Sequence, residues 1–219
     1  MKHNVKKVFA LALAAALCLA VLAGCGSSFS ATELVKGNLD LIYLNQYSDT
    51  YLKSVDLTKD EADQQYEDGI AVEVDYFCNY FNVVLDSCDE TIQPQIADMY
   101  RQIYDHSKFE VGSETKNGDT YLVELTVYPI DIFQKFVEED WETYLTQWQE
   151  RYLAGEFASE EAAETDWAQG LIDQINGRMD SIGYLDPQTV SVQVTKGDDG
   201  RYSIDNNDFS RIDGLMIAY

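Results

Sequence analysis

The chain has 219 residues, of which 46% are apolar and 12% aromatic, and only three are proline. This composition excludes a disordered or low-complexity chain and indicates a globular protein with one good core, or two small lobes that share one. The 39 acidic residues outnumber the 15 basic ones, and the net charge of −24 excludes nucleic acid as an electrostatic partner. An acid-rich, solvated surface explains this charge best, and a cation or basic-ligand site is the alternative.

The N-terminus has the layout of a cleavable secretory signal. Three lysines and no acid precede an apolar run over residues 8–21, which is too short for a settled membrane span. The run ends in a sequence that resembles the lipobox of bacterial lipoproteins, formed by Leu22, Ala23, Gly24 and Cys25. In that class of protein the cysteine is diacylated and becomes the first residue of the mature chain.

We therefore expect a signal peptide over residues 1–24 and a protein that diacylated Cys25 anchors to the extracytoplasmic face of a bacterial cell membrane. Removal of residues 1–24 leaves 195 of the 219 residues, with 12 basic against 39 acidic and a net charge of −27. Residues 25–30 form the lipidated cysteine and a short tether, because Ser30 and Glu33 are spaced as a capping box that opens a helix. The folded part should then lie close to the bilayer.

Helical periodicity follows in three segments. The first helix runs from Ser30 into a tyrosine-rich segment, and a second capping box at Thr58 opens a long helix. A third helix begins near Asp89. The apolar positions of the long helix are spaced by three and four residues and comprise Ile70, Val74, Phe77, Cys78, Phe81, Leu85 and Cys88.

Cys78 and Cys88 are the cysteines left after Cys18 and Cys25 are assigned to the signal and the anchor. Ten residues of continuous helix would separate them by roughly 15 Å, beyond the reach of a disulfide. We interpret both as buried free thiols. A disulfide between them is the alternative if the helix breaks near Asn82, since the compartment is oxidising.

The period then changes from 3.6 to 2, which indicates strands. Residues 108–116 and 119–128 flank Asn117-Gly118, a strong hairpin signal in which both turn residues need positive φ. A long helix is predicted next, and its inward-facing positions run from Phe133 to Tyr152. A second helix begins at Ser159. A last hairpin has strands around Val192 and Tyr202.

Neither hairpin is stable alone, so both should join one antiparallel sheet. The predicted fold class is α+β, with helices on one face of a small sheet made of two hairpins. A cone-shaped fold like those of cystatin or nuclear transport factor 2 is an analogy for this arrangement. We expect a single globular domain over residues 31–219, with sub-lobes over 31–129 and 130–219 as an alternative.

Several segments carry a family resemblance. The lipobox, the segment 75–78 in the helix-rich half, the 112–128 hairpin leading to Pro129-Ile130-Asp131, and the closing segment 202–205 are similar to a family of uncharacterised predicted lipoproteins of Gram-positive, clostridia-like bacteria. The similarity covers most of the mature chain. The family has no established activity to carry over.

No motif for catalysis, metal or cofactor binding is recognised. His106 is the only histidine of the mature chain and is expected to lie at a helix C-terminus, and the many carboxylates are ordinary surface acids. The turn 198–200 and the segment 205–208 are rich in Asp, Asn and Gly, as calcium-binding loops are, but they lack the residue spacing of an EF-hand. We predict no catalytic residue, no metal site and no cofactor.

Tyrosine gives the strongest indication of binding. Tyrosines recur every four residues in two helices, which would line a groove for sugars or peptides with Tyr43, Tyr47, Tyr51, Tyr100 and Tyr104. The alternative is that these rings edge the core with their hydroxyls in water.

Three functions stay open, and the oligomeric state is not determined. The first is a non-catalytic binding or interaction module on the membrane. The second is a lipoprotein that captures a sugar or peptide for a transporter, and the third is a hydrolase that uses two carboxylates.

Overall fold

A computed structural model describes residues 29–219, and the predicted signal peptide, Cys25 and residues 26–28 lie outside the described residues. In this part of the chain, eight α-helices and four strands follow in the order of four helices, two strands, three helices, two strands and one helix. The helices are α1 (Ala31–Leu44), α2 (Asp49–Val55), α3 (Lys59–Phe81), α4 (Ile92–Tyr104), α5 (Ile132–Glu139), α6 (Trp141–Leu153), α7 (Glu160–Asn176) and α8 (Asn206–Met216). The strands are β1 (Lys108–Asn117), β2 (Thr120–Tyr128), β3 (Gln188–Lys196) and β4 (Tyr202–Ile204).

The strands form one antiparallel sheet in the order β1-β2-β3-β4. The β1–β2 hairpin therefore lies beside the β3–β4 hairpin, and β2 pairs with β3. The predicted α+β class with a sheet of two hairpins is therefore confirmed. The first turn lies one residue later than predicted. Asn117 pairs with Thr120 at the end of the ladder, and Gly118, with a φ of 64°, takes the first central position of the turn.

The described residues fall into two compact units. The first, called the sheet unit below, contains residues 29–69, 107–129 and 186–216. Alternate residues of its strands are buried, and α1 and α8 contact the sheet on that side. Its core is largely aliphatic and includes Leu34, Val35, Val123, Leu125, Val192, Val194, Ile204 and Ile212.

The second, called the helical unit below, contains residues 70–106, 130–185 and 217–219. Helix α7 contacts both α4 and α5, and α5 also contacts α6. The core of this unit is aromatic and includes Phe77, Phe81, Tyr100, Phe133 and Phe136, all at most 1% exposed. The single-domain and sub-lobe predictions stay predictions.

The helix starts predicted at Ser30, Thr58 and Ser159 are confirmed, whereas the helix predicted from near Asp89 begins at Ile92. The hydroxyl of Ser30 accepts a hydrogen bond from the Glu33 amide at 3.2 Å, so it caps α1. Thr58 and Glu61 bond reciprocally, as a capping box requires, with the Thr58 amide 2.8 Å from Glu61 Oε2. Ser159 caps α7 through the Ala162 amide at 3.1 Å.

The structure corrects the predicted long helices in two places. α3 ends at Phe81, and Asn82 takes a left-handed φ of 55°, so Leu85 and Cys88 do not continue its apolar stripe. The helix predicted from Phe133 to Tyr152 is divided at Asp140 into α5 and α6. α8 follows the last strand, where no helix was predicted.

Candidate functional site

Three of the five predicted tyrosines belong to the sheet unit. Tyr43 is fully buried and donates a hydrogen bond to Asp213 Oδ1 at 3.1 Å. Tyr51 is 8% exposed and packs so closely on Gly37 that a Cβ there would meet its ring at 2.2 Å. Tyr47 is half-buried, and its hydroxyl contacts Asp63 and accepts from Lys59 Nζ at 3.0 Å.

Tyr100 and Tyr104 belong to the helical unit, where both are buried around Glu73. The Tyr104 hydroxyl donates to Glu73 Oε1 at 2.5 Å, and the Tyr219 hydroxyl donates to Glu73 Oε2 at 3.4 Å. The hydroxyls of Tyr100 and Tyr219 are 2.5 Å apart. Burial, followed by the nearby Glu73 charge, raises the pKa of Tyr100 well above its ordinary value.

The five predicted tyrosines thus lie in two units, and four of them are buried with less than a tenth of their surface exposed. The hydroxyls of Tyr43, Tyr47, Tyr100 and Tyr104 contact protein groups of their own unit. A binding role for Tyr43, Tyr47, Tyr51, Tyr100 and Tyr104 stays a prediction.

Glu73 and Asp213 are carboxylates that the sequence analysis did not single out. Glu73 lies on α3 between Ile70 and Phe77, at helical spacing from both, and Asp213 lies four residues after buried Phe209 on α8. A carboxylate on the apolar stripe of a helix is the sequence signal that could have identified each one. Burial raises the pKa of Asp213 to about 6, and the Tyr43 hydrogen bond partly opposes this shift.

The helical unit also presents an aromatic surface that sequence periodicity assigned to the core. No residue of α6 is buried, although Trp141, Tyr144, Leu145, Trp148 and Tyr152 were predicted to point inward. Of these, Tyr152 is 48% exposed and the others are half-buried. The neighbouring Leu153 is 85% exposed.

Two of these rings, Trp148 and Tyr152, form together with Phe157, four residues after the end of α6, what we call the α6 platform. The ring centroid of Trp148 lies 5.2 Å from that of Tyr152 and 5.8 Å from that of Phe157, with interplanar angles of 20° and 26°. The centroids of Tyr152 and Phe157 are 6.4 Å apart, and their planes are tilted by 39° to each other. The three rings form a partly exposed aromatic surface, in which Tyr152 is exposed and Trp148 and Phe157 are half-buried.

Charged groups line the edge of the α6 platform. The Arg151 guanidinium lies 4.9 Å from the Phe157 ring centroid and donates two hydrogen bonds of 2.9 Å to the carboxylate of Asp166. It also donates to Glu156 Oε2 at 3.2 Å. The indole N–H of Trp148 is buried without a hydrogen-bond partner among the described residues, which costs about 1–3 kcal/mol.

The Trp148 ring is held from beneath by Trp167, whose ring centroid is 5.1 Å away in an edge-on arrangement. Trp167 is 8% exposed, and its own indole N–H donates to the Phe81 carbonyl at 3.1 Å. The α6 platform is therefore fixed to the core of the helical unit by a residue with a satisfied hydrogen bond.

The sheet unit contains a small cleft. It has a volume of about 220 Å³ and is lined by residues of α1 and of the segment 107–111, including Lys36, Asp40, Ser107 and Phe109. Ligand pockets usually measure about 300–1,000 Å³. The cleft contains neither tyrosine nor tryptophan, so it does not match the groove predicted for sugars or peptides.

The two remaining cysteines differ in exposure, because Cys78 is buried and Cys88 is half-buried, and both are free thiols. Burial, with smaller contributions from Asp75 and Cys88, raises the pKa of Cys78 to about 12. Cys78 is therefore protonated, and hence a poor nucleophile, at physiological pH.

Within residues 29–219, no cluster of three or more metal-ligating side chains is found. In the same part of the chain, no helix is long and apolar enough to cross a membrane. His106 follows the end of α4, and its carbonyl accepts a hydrogen bond from the Tyr184 hydroxyl at 2.8 Å. Leu22, Ala23, Gly24 and Cys25 lie outside the described residues.

No family model matches the chain, and no curated protein sequence matches it. The chain is similar in structure to the "putative lipoprotein" ycdA from Bacillus subtilis subsp. subtilis strain 168, with a TM-score of 0.58 and 16% sequence identity. The match covers 84% of this chain and 55% of that one, so the chain corresponds to about half of that protein. At this identity the similarity concerns the fold alone.

Proposed function

We propose that the chain is a lipid-anchored, extracytoplasmic binding module without catalytic activity, which recognises its ligand through the α6 platform. The lipobox at residues 22–25 supports the anchor, and the structural similarity to ycdA agrees with it. The observation that carries the binding role is the partly exposed aromatic group of Trp148, Tyr152 and Phe157, in which Tyr152 is 48% exposed.

A saccharide is the ligand that fits this surface best. The apolar C–H faces of sugar rings can stack on aromatic rings, while the surrounding hydroxyls need hydrogen-bonding partners. The α6 platform supplies both, because Arg151, Glu156 and Asp166 lie at its edge.

The binding proposal can be tested by titrating the lipoprotein in detergent with oligosaccharides of increasing length and following tryptophan fluorescence. We expect saturable quenching, since all three tryptophans lie in one connected group of rings. Tyr152→Ala should weaken binding at least several-fold, because it removes one ring of the platform without emptying the core. Tyr184→Ala is the matched control, since Tyr184 is 39% exposed in the same unit.

Failure of every oligosaccharide to bind, or equal loss in the two tyrosine variants, would remove the saccharide proposal. The anchor is tested separately by Cys25→Ser. We expect this variant to stay unprocessed or to leave the membrane fraction, because one thiol carries the lipid. If it fractionates like the wild type, the proposed localisation is wrong.

A protein partner is the second candidate, and Leu153 favours it. An 85% exposed leucine beside an aromatic surface contributes nothing to sugar stacking but suits an apolar protein contact. Leu153→Ser should reduce association with a protein partner while leaving oligosaccharide binding unchanged. Leu122→Ser, at a 42% exposed leucine on the open face of the sheet, is its control.

A further inference from the structure

The first described residue is packed into one end of the sheet. The Phe29 ring stacks on Tyr202 with a centroid distance of 3.7 Å and meets Tyr121 edge-on at 5.3 Å. Glu114 fixes the next residues, because its Oε2 accepts from the Thr32 amide at 2.7 Å. The chain therefore leaves the described fold from a fixed point on the sheet unit.

That point lies at the end of the sheet where both hairpins turn. Lys116 Nζ is 5.2 Å from the ring centroid of Tyr121, and Lys196 Nζ is 5.8 Å from that of Tyr202. The Lys196 amide also donates to the Asp119 carbonyl at 3.1 Å, which joins the two turns. We call residues 116–119 and 196–201, together with Phe29, the hairpin-tip surface.

The distance from this surface to the predicted lipid is short. Four peptide steps separate Cys25 from Phe29. A fully extended chain of that length spans at most about 14 Å. This limit keeps Phe29, and with it one end of the sheet, within about 14 Å of the predicted lipid-bearing cysteine.

The charge of the hairpin-tip surface is compatible with this position. Residues 116–119 and 196–201 contain three basic side chains, Lys116, Lys196 and Arg201, and three acidic ones, Asp119, Asp198 and Asp199. The mature chain as a whole has a net charge of −27. An electrically balanced surface is repelled less by anionic headgroups than the acidic remainder of the protein.

We infer that the hairpin-tip surface faces the membrane and lies against the lipid headgroups. This inference rests on the anchor in the proposed function and is independent of the α6 platform. Tyrosine and lysine suit this layer, because their apolar parts pack inward while their polar ends reach water or phosphate.

The test compares two membrane-anchored proteins. The wild type and a variant with about 20 Gly and Ser residues inserted between Ser28 and Phe29, a linker of roughly 25 Å root-mean-square length, are reconstituted in vesicles of phosphatidylglycerol and phosphatidylethanolamine. Both are labelled with a membrane-impermeant amine reagent, and the rate at each lysine is measured by mass spectrometry. Comparing each lysine with itself removes its intrinsic reactivity, which matters because a hydrogen bond with Tyr121 raises the pKa of Lys116.

We expect Lys116 and Lys196 to react several-fold more slowly in the wild type than in the long-tether variant. Lys108 is the matched control: it lies at the opposite end of β1, about 25 Å away, and its Nζ is also placed over a tyrosine ring, 4.1 Å from the Tyr128 centroid. Its rate should be the same in the two proteins.

Equal rates at Lys116 and Lys196 in the two proteins, with Cys25 acylated and the chain in the membrane fraction, would overturn this inference and leave the anchor intact. An unmodified Cys25 in the native polypeptide would instead overturn the anchor itself. The two failures are therefore distinguishable.

Discussion

The sheet unit and the helical unit each place a carboxylate against tyrosine hydroxyls, but the number of donors differs. Glu73 in the helical unit receives hydrogen bonds from Tyr104 and Tyr219, whereas Asp213 in the sheet unit receives a hydrogen bond from Tyr43. Burial raises the pKa of Asp213 to about 6, so one donor does not offset the loss of water. The comparison shows that a single hydroxyl donor does not keep a buried carboxyl group at its ordinary pKa.

The two cores also differ in chemistry. The sheet unit packs valine, leucine and isoleucine from alternate strand positions, whereas the helical unit packs aromatic rings. Phe133 is fully buried, and its ring lies within 6.2 Å of the rings of Phe77, Phe81, Tyr100 and Tyr219. Removal of one large ring should therefore leave a larger cavity than removal of one aliphatic side chain.

The largest expected effect comes from the aromatic core. Phe133→Ala should lower the free energy of unfolding by about 3–5 kcal/mol, because it loses apolar burial and leaves a cavity. Leu125→Ala, at an equally buried position of the sheet unit, should cost about 2–5 kcal/mol. Urea unfolding of both variants measures the difference, and a smaller loss for Phe133→Ala would contradict the comparison of the two cores.

The hydroxyls around Glu73 give the next largest effect. Tyr104→Phe should cost about 1.5–3 kcal/mol, since it removes a hydrogen bond of 2.5 Å to a buried carboxylate. Tyr219→Phe should cost less, because its bond to Glu73 is longer, at 3.4 Å. Chemical denaturation at neutral pH compares the two variants, and the reverse order would show that the Tyr100–Tyr219 contact is the more important one.

Asp213 should make stability depend on pH. Its pKa is raised in the folded state, so its contribution to stability is fully present below about pH 4 and is lost as the pH rises through about 6. A shift of two units corresponds to about 3 kcal/mol, and Asp213→Asn should recover about 1–2 kcal/mol of this at pH 8, because part of the residue remains accessible to solvent.

Thermal unfolding of Asp213→Asn and the wild type at pH 4 and pH 8 measures this effect. We expect the difference in melting temperature to be large at pH 8 and small at pH 4. A constant difference at the two pH values would show that Asp213 does not titrate in this range.

The smallest effects concern the helix caps. Ser159→Ala in the helical unit should cost about 1 kcal/mol, the usual value for the loss of an N-cap. Ser30→Ala in the sheet unit should cost slightly more, because the Ser30 hydroxyl caps α1 and also contacts Glu114 Oε2 at 3.4 Å. Urea unfolding measures the loss of unfolding free energy in the two variants. Equal losses would show that the contact with Glu114 contributes nothing to stability.

Local signals made much of the fold predictable. The capping residues Ser30, Thr58 and Ser159 fixed three helix starts, since a side-chain oxygen three positions before a free amide acts within one turn. Alternation in β2 and β3 identified the sheet and its buried face, because successive strand residues point to opposite sides. Helix ends were harder to predict: α3 stops at Phe81 although its apolar spacing continues to Cys88.

The candidate site, like the helix ends, was predicted less well than the helix starts. Periodicity identified Trp148 and Tyr152 as one face of a helix, but it cannot tell whether that face meets a core or solvent. The tyrosines at positions 43, 51, 100 and 104 share the same four-residue spacing and are buried.

Residues close together in the chain account for the acidic charge, the helix caps and the α+β class, and they are also the basis for predicting a lipobox at residues 22–25. The tertiary structure decided which polar groups meet, as when Glu73 receives a hydrogen bond from Tyr219, 146 residues away. It also decided that Phe29 packs between the two hairpins and that no residue of α6 is fully buried. These features depend on contacts between distant segments, which local sequence patterns do not specify.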